Sequence, residues 1–126
     1  NMYFEGRSEP LHGKLAIGLV TLARVESKRY PDNICDVVWQ QNKDSRSGKM
    51  TAQFSWTLDG QSDKIKNKKA YEEITRVAGA MIAEGRLDNI HDFTNGATHY
   101  HANYVTPYWA DDLNKIAMVG NHIFYK

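Results

Sequence analysis

The sequence predicts an α+β fold, with helices in its first two thirds and a small antiparallel sheet in its last third. Three observations carry that reading. The run "GKLAIGLVTLARVESK" sets Leu15, Leu19, Leu22 and Ala23 at helical spacing, and Ile17, Val20 and Val25 widen the stripe almost all round. A helix apolar on nearly every side belongs at the centre of a fold. Residues 67–84 form a second helical pattern, with Tyr71, Ile74, Val77, Ala78, Met81 and Ile82 on one side and Gly85 as its stop. Finally, "ATHYHANYV", "KIAMVG" and "HIFYK" are short β-rich runs separated by turn residues.

The remaining elements follow in order. "NMYFEGRSE" reads as the end of a helix closed by Pro10, because a residue before proline is pushed out of the helical region. "PDNICDVVWQQ" fits a short helix, with Asp32 or Asn33 as N-cap and Ile34, Val37 and Val38 turned to the core. "NKDSRSGKMT" is polar throughout and reads as a surface loop or insertion. "AQFSWTLDG" reads as a strand or an extended groove wall ending at Asp59-Gly60, and in "TPYWADDL" Thr106 caps a short helix that Pro107 opens.

Bulk properties narrow the function. The 126 residues fit one domain, 1–126, and the interrupted look of "NMYFEGRSEP" suggests that it is trimmed from a longer chain. Sixteen Lys and Arg against 15 Asp and Glu leave a formal charge of +1, which argues against a nucleic-acid partner. No apolar run approaches the roughly 20 residues of a membrane span, so no membrane partner is expected. A single cysteine, Cys35, excludes an internal disulfide, and a monomer is expected.

Which side chains carry chemistry? His99 and His101 are two apart and would share one face of a strand. His91, Asp92 and His122 could complete a zinc shell, but no HExxH or paired-cysteine pattern accompanies them, so substrate contact or structure ranks ahead of metal ligation. Cys35 is placed on the core side of its helix, where a thiol behaves as a small hydrophobe, and no GxSxG turn offers a serine nucleophile. Glu5 and Glu9 lie four apart, on similar sides of one helix, next to Tyr3 and Phe4. Burial beside apolar rings disfavours a charged carboxylate and can make a general acid; the plainer alternative is a solvated face with Glu9 paired to Arg7 or a lysine. The basic run "DKIKNKKA" supplies Lys64, Lys66, Lys68 and Lys69, and lysines at a helix N-terminus oppose the macrodipole. They are either loop or face an anionic polymer; such a run is usually a solvated surface, and no specific role is assigned to it.

Taken in order, "YFEGRSEP", "AIGLVTLARV", "YPDNICDVVWQ", "QFSWTLDG", "GATHYHANYVTPYW" and "VGNHIFYK" resemble the SleB-type cell wall hydrolases. That family includes spore cortex-lytic catalytic domains and related bacterial and phage lysins. The resemblance runs from Tyr3 to Tyr125, and "GATHYHA" followed by P-x-W and G-x-H-x-F-Y is its most specific part. It implies a compact lysozyme-like helical core and an enzyme of the cell envelope that cleaves peptidoglycan glycan strands between N-acetylmuramic acid and N-acetylglucosamine. The implied chemistry is lytic transglycosylation, without a cofactor and with one glutamate as acid and base.

Carried onto this chain, the acidic motif falls on "EGRSE", with Glu5 catalytic; Gly6 and Ser8 stand where the family commonly has alanine and glycine. Glu9 supports the turn or holds Arg7. Gln53, Phe54 and Ser55 are expected to line the groove and bind substrate, while Tyr100, His101 and His122 position sugar or orient Glu5. Trp56 and Trp109 are either stacking faces or core. The stretch 42–51 looks longer than the family needs. A hydrolytic muramidase of the same fold is a close alternative, and a zinc amidase or peptidase using His99, His101 and His122 a more distant one.

Overall fold

The structure, a computed structural model, describes residues 1–84 and 91–126; the expected stop at Gly85 lies outside the described residues. Among these residues the helices are α1 (Met2–Glu5), α2 (Leu11–Glu26), α3 (Ile34–Val38) and α4 (Lys68–Glu84). The strands are β1 (Gln41–Lys43), β2 (Met50–Ala52), β3 (His99–Ala102), β4 (Lys115–Val119) and β5 (His122–Tyr125). The α+β reading holds, and the sheet of the last third is antiparallel with spatial order β3-β5-β4.

The central pillar is α2. Every residue from Ala16 to Arg24 is buried, so the all-round apolar pattern does what it predicts. Ile17, Leu19 and Leu22 meet Ile74 and Met81 of α4 on one side. Ala16 and Val20 meet Phe124 and Ala97 on another. A third cluster joins Val37 and Val38 of α3 to Phe54. Each fully buried aliphatic or aromatic side chain contributes roughly 1.5–3 kcal/mol, and the ring of Tyr100 packs against all three clusters.

Several local expectations give way to stronger ones. α1 ends at Gly6, whose N–H bonds Met2 O at 3.1 Å, and not at Pro10. Pro10 instead opens α2 as its N-cap, which leaves Glu9 in a turn of its own, off the helix that carries Glu5. Asn33 is the α3 cap, its side chain accepting from Asp36 N at 2.9 Å. That frame turns Cys35 outward, and the thiol is exposed rather than buried. The polar stretch 42–51 is an exposed hairpin, with Asn42 opposite Thr51, and its tip is pinned by Asp44 accepting from Ser47 N. "AQFSWTLDG" turns at a 3-10 segment, Ser55–Thr57, rather than running as a strand. The short helix expected at Pro107 is a 3-10 turn at Ala110–Asp112. On α4, Ile74 and Met81 are buried, while Tyr71 and Ile82 stay largely exposed at the margin of the apolar face.

Glu9 has a structural task. It is buried, and its carboxylate accepts from Asn121 N at 3.1 Å and Asn121 Nδ2 at 3.2 Å. This ties the β4–β5 turn to the start of α2. Gly120 sits in that turn at φ +57°, and a methyl there would run into the Glu9 carboxylate. Gly120→Ala should therefore cost about 1–3 kcal/mol from backbone strain, with the clash in addition. The check is the guanidinium unfolding midpoint at constant slope; an unmoved midpoint would mean that Glu9 does not clamp this turn.

Candidate active site

The site is built where α1 meets β3. Glu5 closes α1, and its Oε2 accepts a hydrogen bond from the Tyr100 hydroxyl at 2.8 Å. The two residues are 95 positions apart in sequence, so the contact exists only in the finished fold. Burial, the Glu5 charge and the bond to Glu5 push the Tyr100 phenol well above its ordinary range, with Arg24 opposing. Tyr100 is thus a fixed proton donor to Glu5 at any physiological pH. Glu5 Oε1 has no protein hydrogen-bond partner among the described residues.

Behind this pair lies Arg24, a single basic residue within the buried face of α2 and only 4% exposed. Its Nε donates to Thr98 O at 2.8 Å, and the guanidinium lies over the Tyr30 and Phe54 rings at 5.2 and 5.1 Å. Nη1 is buried without a partner. Desolvation lowers its pKa, and electrostatic coupling to Tyr30, Tyr100 and Glu5 works against that shift. One buried cation therefore ties α2, the segment before β3 and the Phe54 loop together beside Glu5.

An aromatic flank adjoins Glu5. Phe4 stacks on Trp56 at 4.7 Å, and Trp56 meets the exposed Trp39 edge-on at 5.3 Å. Trp56 Nε1 donates to Asn1 Oδ1 at 2.8 Å.

Strand parity then divides the histidines. In the β3–β5 register Tyr100 faces Phe124 and Ala102 faces His122, while His99 faces Tyr125 and His101 faces Ile123. Residues alternate across a strand, so Tyr100 and His122 share the inner face and His99 and His101 the outer one. Trp109 packs on that outer face, 5.2 Å from His99, 5.6 Å from His101 and 5.6 Å from Tyr125.

The sequence model described as Cell Wall Hydrolase matches residues 8–125. The chain belongs to the cell wall hydrolase family. Spore cortex-lytic enzymes of Oceanobacillus iheyensis and Halalkalibacterium halodurans are 26% and 27% identical over 99% and 98% of this chain, respectively. The chain spans only 38% and 32% of the length of those curated relatives. The crystal structure of the catalytic domain of the Bacillus cereus SleB protein superposes with a TM-score of 0.65 at 27% identity, covering 99% of this chain and 83% of that one. The catalytic domain of the germination-specific lytic transglycosylase SleB from Bacillus anthracis gives 0.64 and 27%, covering 99% and 87%. The fold of this cell wall hydrolase is therefore that of the SleB catalytic domains.

The expected site residues are placed unevenly within it. Glu5 and Tyr100 are in contact. His122 touches the Tyr100 ring at 5.3 Å and brings Nδ1 within 3.4 Å of Glu9 Oε1, one step removed from Glu5. His101 stands apart, stacked on Tyr125 and bonded to its hydroxyl at 2.9 Å, so it cannot orient Glu5. Phe54 is 1% exposed and belongs to the core beneath Arg24, not to a substrate-facing wall. Gln53 is half-buried and Ser55 exposed, which leaves these two of the block able to meet substrate. Glu9 holds Asn121 instead of Arg7, whose guanidinium lies 5.1 Å over Phe4.

The zinc alternative loses its ligand set for the same reason. His99 and His101 are on the opposite face from His122, and Asp92 spends both oxygens on Thr94 and Gly96 of its own turn. Among the described residues no three His, Cys, Asp or Glu side chains gather as a metal shell. Sequence reading missed Arg24 as a candidate site residue; its signal is a lone cation within the buried run 16–24 of α2.

Two outcomes are expected. Tyr100→Phe keeps the ring packing and deletes the donor to Glu5, so kcat should fall about 10- to 100-fold with little loss of thermal stability; unchanged kcat would remove Tyr100 from the site. His99 has its pKa lowered by desolvation first and by Arg24 and Arg29 next. Its neutral form is the one that the fold favours, so this part of the stability is complete above about pH 6.5 and is lost as pH falls through the depressed folded value. Chemical denaturation from pH 7.5 to 5 should show a shallower acid-side loss in His99→Gln than in the parent.

Proposed function

We propose that this domain, residues 1–126, is a peptidoglycan lytic transglycosylase of the cell envelope, cleaving the bond between N-acetylmuramic acid and N-acetylglucosamine with Glu5 as its one acid and base. The reading rests on the Tyr100–Glu5 hydrogen bond, which fixes a carboxyl group by one oxygen and leaves the other to carry the proton. It draws support from the family and from the SleB catalytic domain described as a lytic transglycosylase.

Catalysis would run in two proton transfers. Glu5 Oε1 gives its proton to the glycosidic oxygen as the bond to the muramic anomeric carbon breaks. The Tyr100 hydroxyl and the Arg24 charge favour the carboxylate that remains. The C6 hydroxyl of the same muramic residue then attacks the anomeric carbon and returns its proton to Glu5, closing a 1,6-anhydro ring without consuming water. Phe4 and Trp56 offer apolar surface beside the cleaved bond, and Gln53 and Ser55 polar contacts.

Two-carboxylate hydrolysis needs a second acid across the sugar. Glu9 is unsuited to that role, since it is buried and both of its oxygens accept from Asn121. This favours the one-glutamate route over a hydrolytic muramidase.

The test is mass spectrometry of soluble products from purified peptidoglycan, with the parent and Glu5→Gln side by side. Anhydro-muropeptides from the parent and at least a 100-fold loss in the variant are expected. Reducing-end muropeptides would make water the nucleophile, and cleaved stem peptides on intact glycan from both proteins would overturn the reading.

A further inference from the structure

The basic run 63–70, which the proposed chemistry leaves unused, does not simply fringe a solvated helix. Lys64 and Lys66 lie in the segment before α4, and α4 begins at Lys68. That segment closes one side of a cleft of about 240 Å³, walled by Tyr3 and Arg7 from the α1 side and by Lys14 from α2, with Lys66 and Asn67 opposite. Three cations line it, and among the described residues no carboxylate does.

Two of the cations have side-chain contacts of their own, and the backbone beside the third is pinned. The Lys14 stem packs so closely over Gly6 that a Cβ there would come 2.7 Å from Lys14 Cγ. Arg7 is steered by the Phe4 ring, 5.1 Å away. Lys66 is anchored through its neighbour, as Asn67 N donates to Tyr3 Oη at 3.1 Å. None of the three forms an ion pair among the described residues. Glu9 and Glu73 line the adjoining cleft, which shares Lys14 with this one.

The chain as a whole is almost neutral at +1, so this gathering is local. Like charges converging on one concavity repel each other. The first turn of α4 adds to the cost, since it carries lysines and no acidic residue to answer the positive end of the dipole. An oxyanion seated in the cleft would attract each cation and offset these repulsions.

We propose that the Arg7–Lys14–Lys66 cleft is a second binding site of this domain, for an oxyanion carried by the cell wall polymer. It rests on the peptidoglycan reading above and extends it from the glycan to the charged groups attached to that glycan. Arg7 is two residues from Glu5, so an anion held here would anchor the polymer close to the catalytic carboxyl. Two sources share the chemistry: a carboxylate of the stem peptide and a phosphate of an attached wall polymer.

The decisive comparison is the parent against the triple variant Arg7→Gln/Lys14→Gln/Lys66→Gln on three substrates. These are peptidoglycan stripped of phosphate polymers, the same material with its carboxylates amidated, and phosphate-bearing wall. The expected result is a KM raised about tenfold in the variant on the first substrate, with kcat retained, and no difference between the proteins on the amidated one. A rise confined to phosphate-bearing wall would name phosphate as the source and still support the site. Equal KM on all three, or the same loss on amidated material, would overturn it. Binding keeps the outcome separate from catalysis. Fluorescence anisotropy of a labelled stem peptide, and titration with inorganic phosphate, should give equal affinity for the parent and Glu5→Gln and weaker affinity for the triple variant. Binding unaffected by the triple change would refute the cleft even if the domain proved inactive on glycan.

Discussion

The Tyr100–Glu5 hydrogen bond is the constraint through which the fold becomes a site. Glu5 belongs to a helix of one turn, too short to hold a direction by itself. Its carboxyl points where it does because Tyr100 donates to it from a strand across the molecule. Tyr100 in turn has little freedom, since its ring is packed against all three core clusters. The precision of the candidate catalytic group is therefore inherited from the whole core, and above all from α2, which supplies buried residues to two of its three clusters.

Arg24 shows what this arrangement costs. Taking a guanidinium out of water is expensive, and an unpaired donor such as Nη1 adds roughly 1–3 kcal/mol. The return is structural and electrostatic. The Nε bond to Thr98 O fixes the chain two residues before Tyr100, and two aromatic faces take up the charge. The same cation is coupled electrostatically to Glu5, the candidate catalytic carboxyl. A hydrophobic residue would pack there at lower cost, but it would leave β3 without its tie to α2 and Glu5 without that nearby positive charge.

Much of this was legible in the sequence, and the exceptions have physical reasons. Periodicity exposed α2 and α4 because burial of many side chains follows it directly. It gave the three C-terminal strands as well, since β-rich runs between turn residues leave few other choices. The end of α1 was misjudged because Gly6 stops a helix without the unmistakable signature of Pro10. The hairpin of β1 and β2 escaped notice because both strands are exposed and so lack an apolar face to alternate. Glu5 stands out beside Tyr3 and Phe4 as a candidate general acid, but its choice over Glu9 and the naming of Tyr100 rest on family resemblance; nothing in local spacing links positions so far apart. Arg24, Tyr30 and the Glu9–Asn121 clamp are tertiary facts, set by which surfaces meet.

The histidines show how far parity alone can decide chemistry. "THYH" places two imidazoles beside a phenol, and a reader of the string sees one polar cluster. A strand cannot present consecutive residues on one face, so once Tyr100 is committed to Glu5, His99 and His101 must turn away from it. The antiparallel register then delivers His122 to the inner side with Tyr100. There it comes within 3.4 Å of Glu9, whose oxygens already accept from the β4–β5 turn. The two glutamates of "EGRSE" are thereby separated in role as well as in space. Glu9 is consumed in holding the turn that positions His122 against Tyr100, and Glu5 is left with one oxygen free. A candidate site with a single available carboxyl follows from how the strand alternates and where Gly6 ends α1, before any substrate is considered.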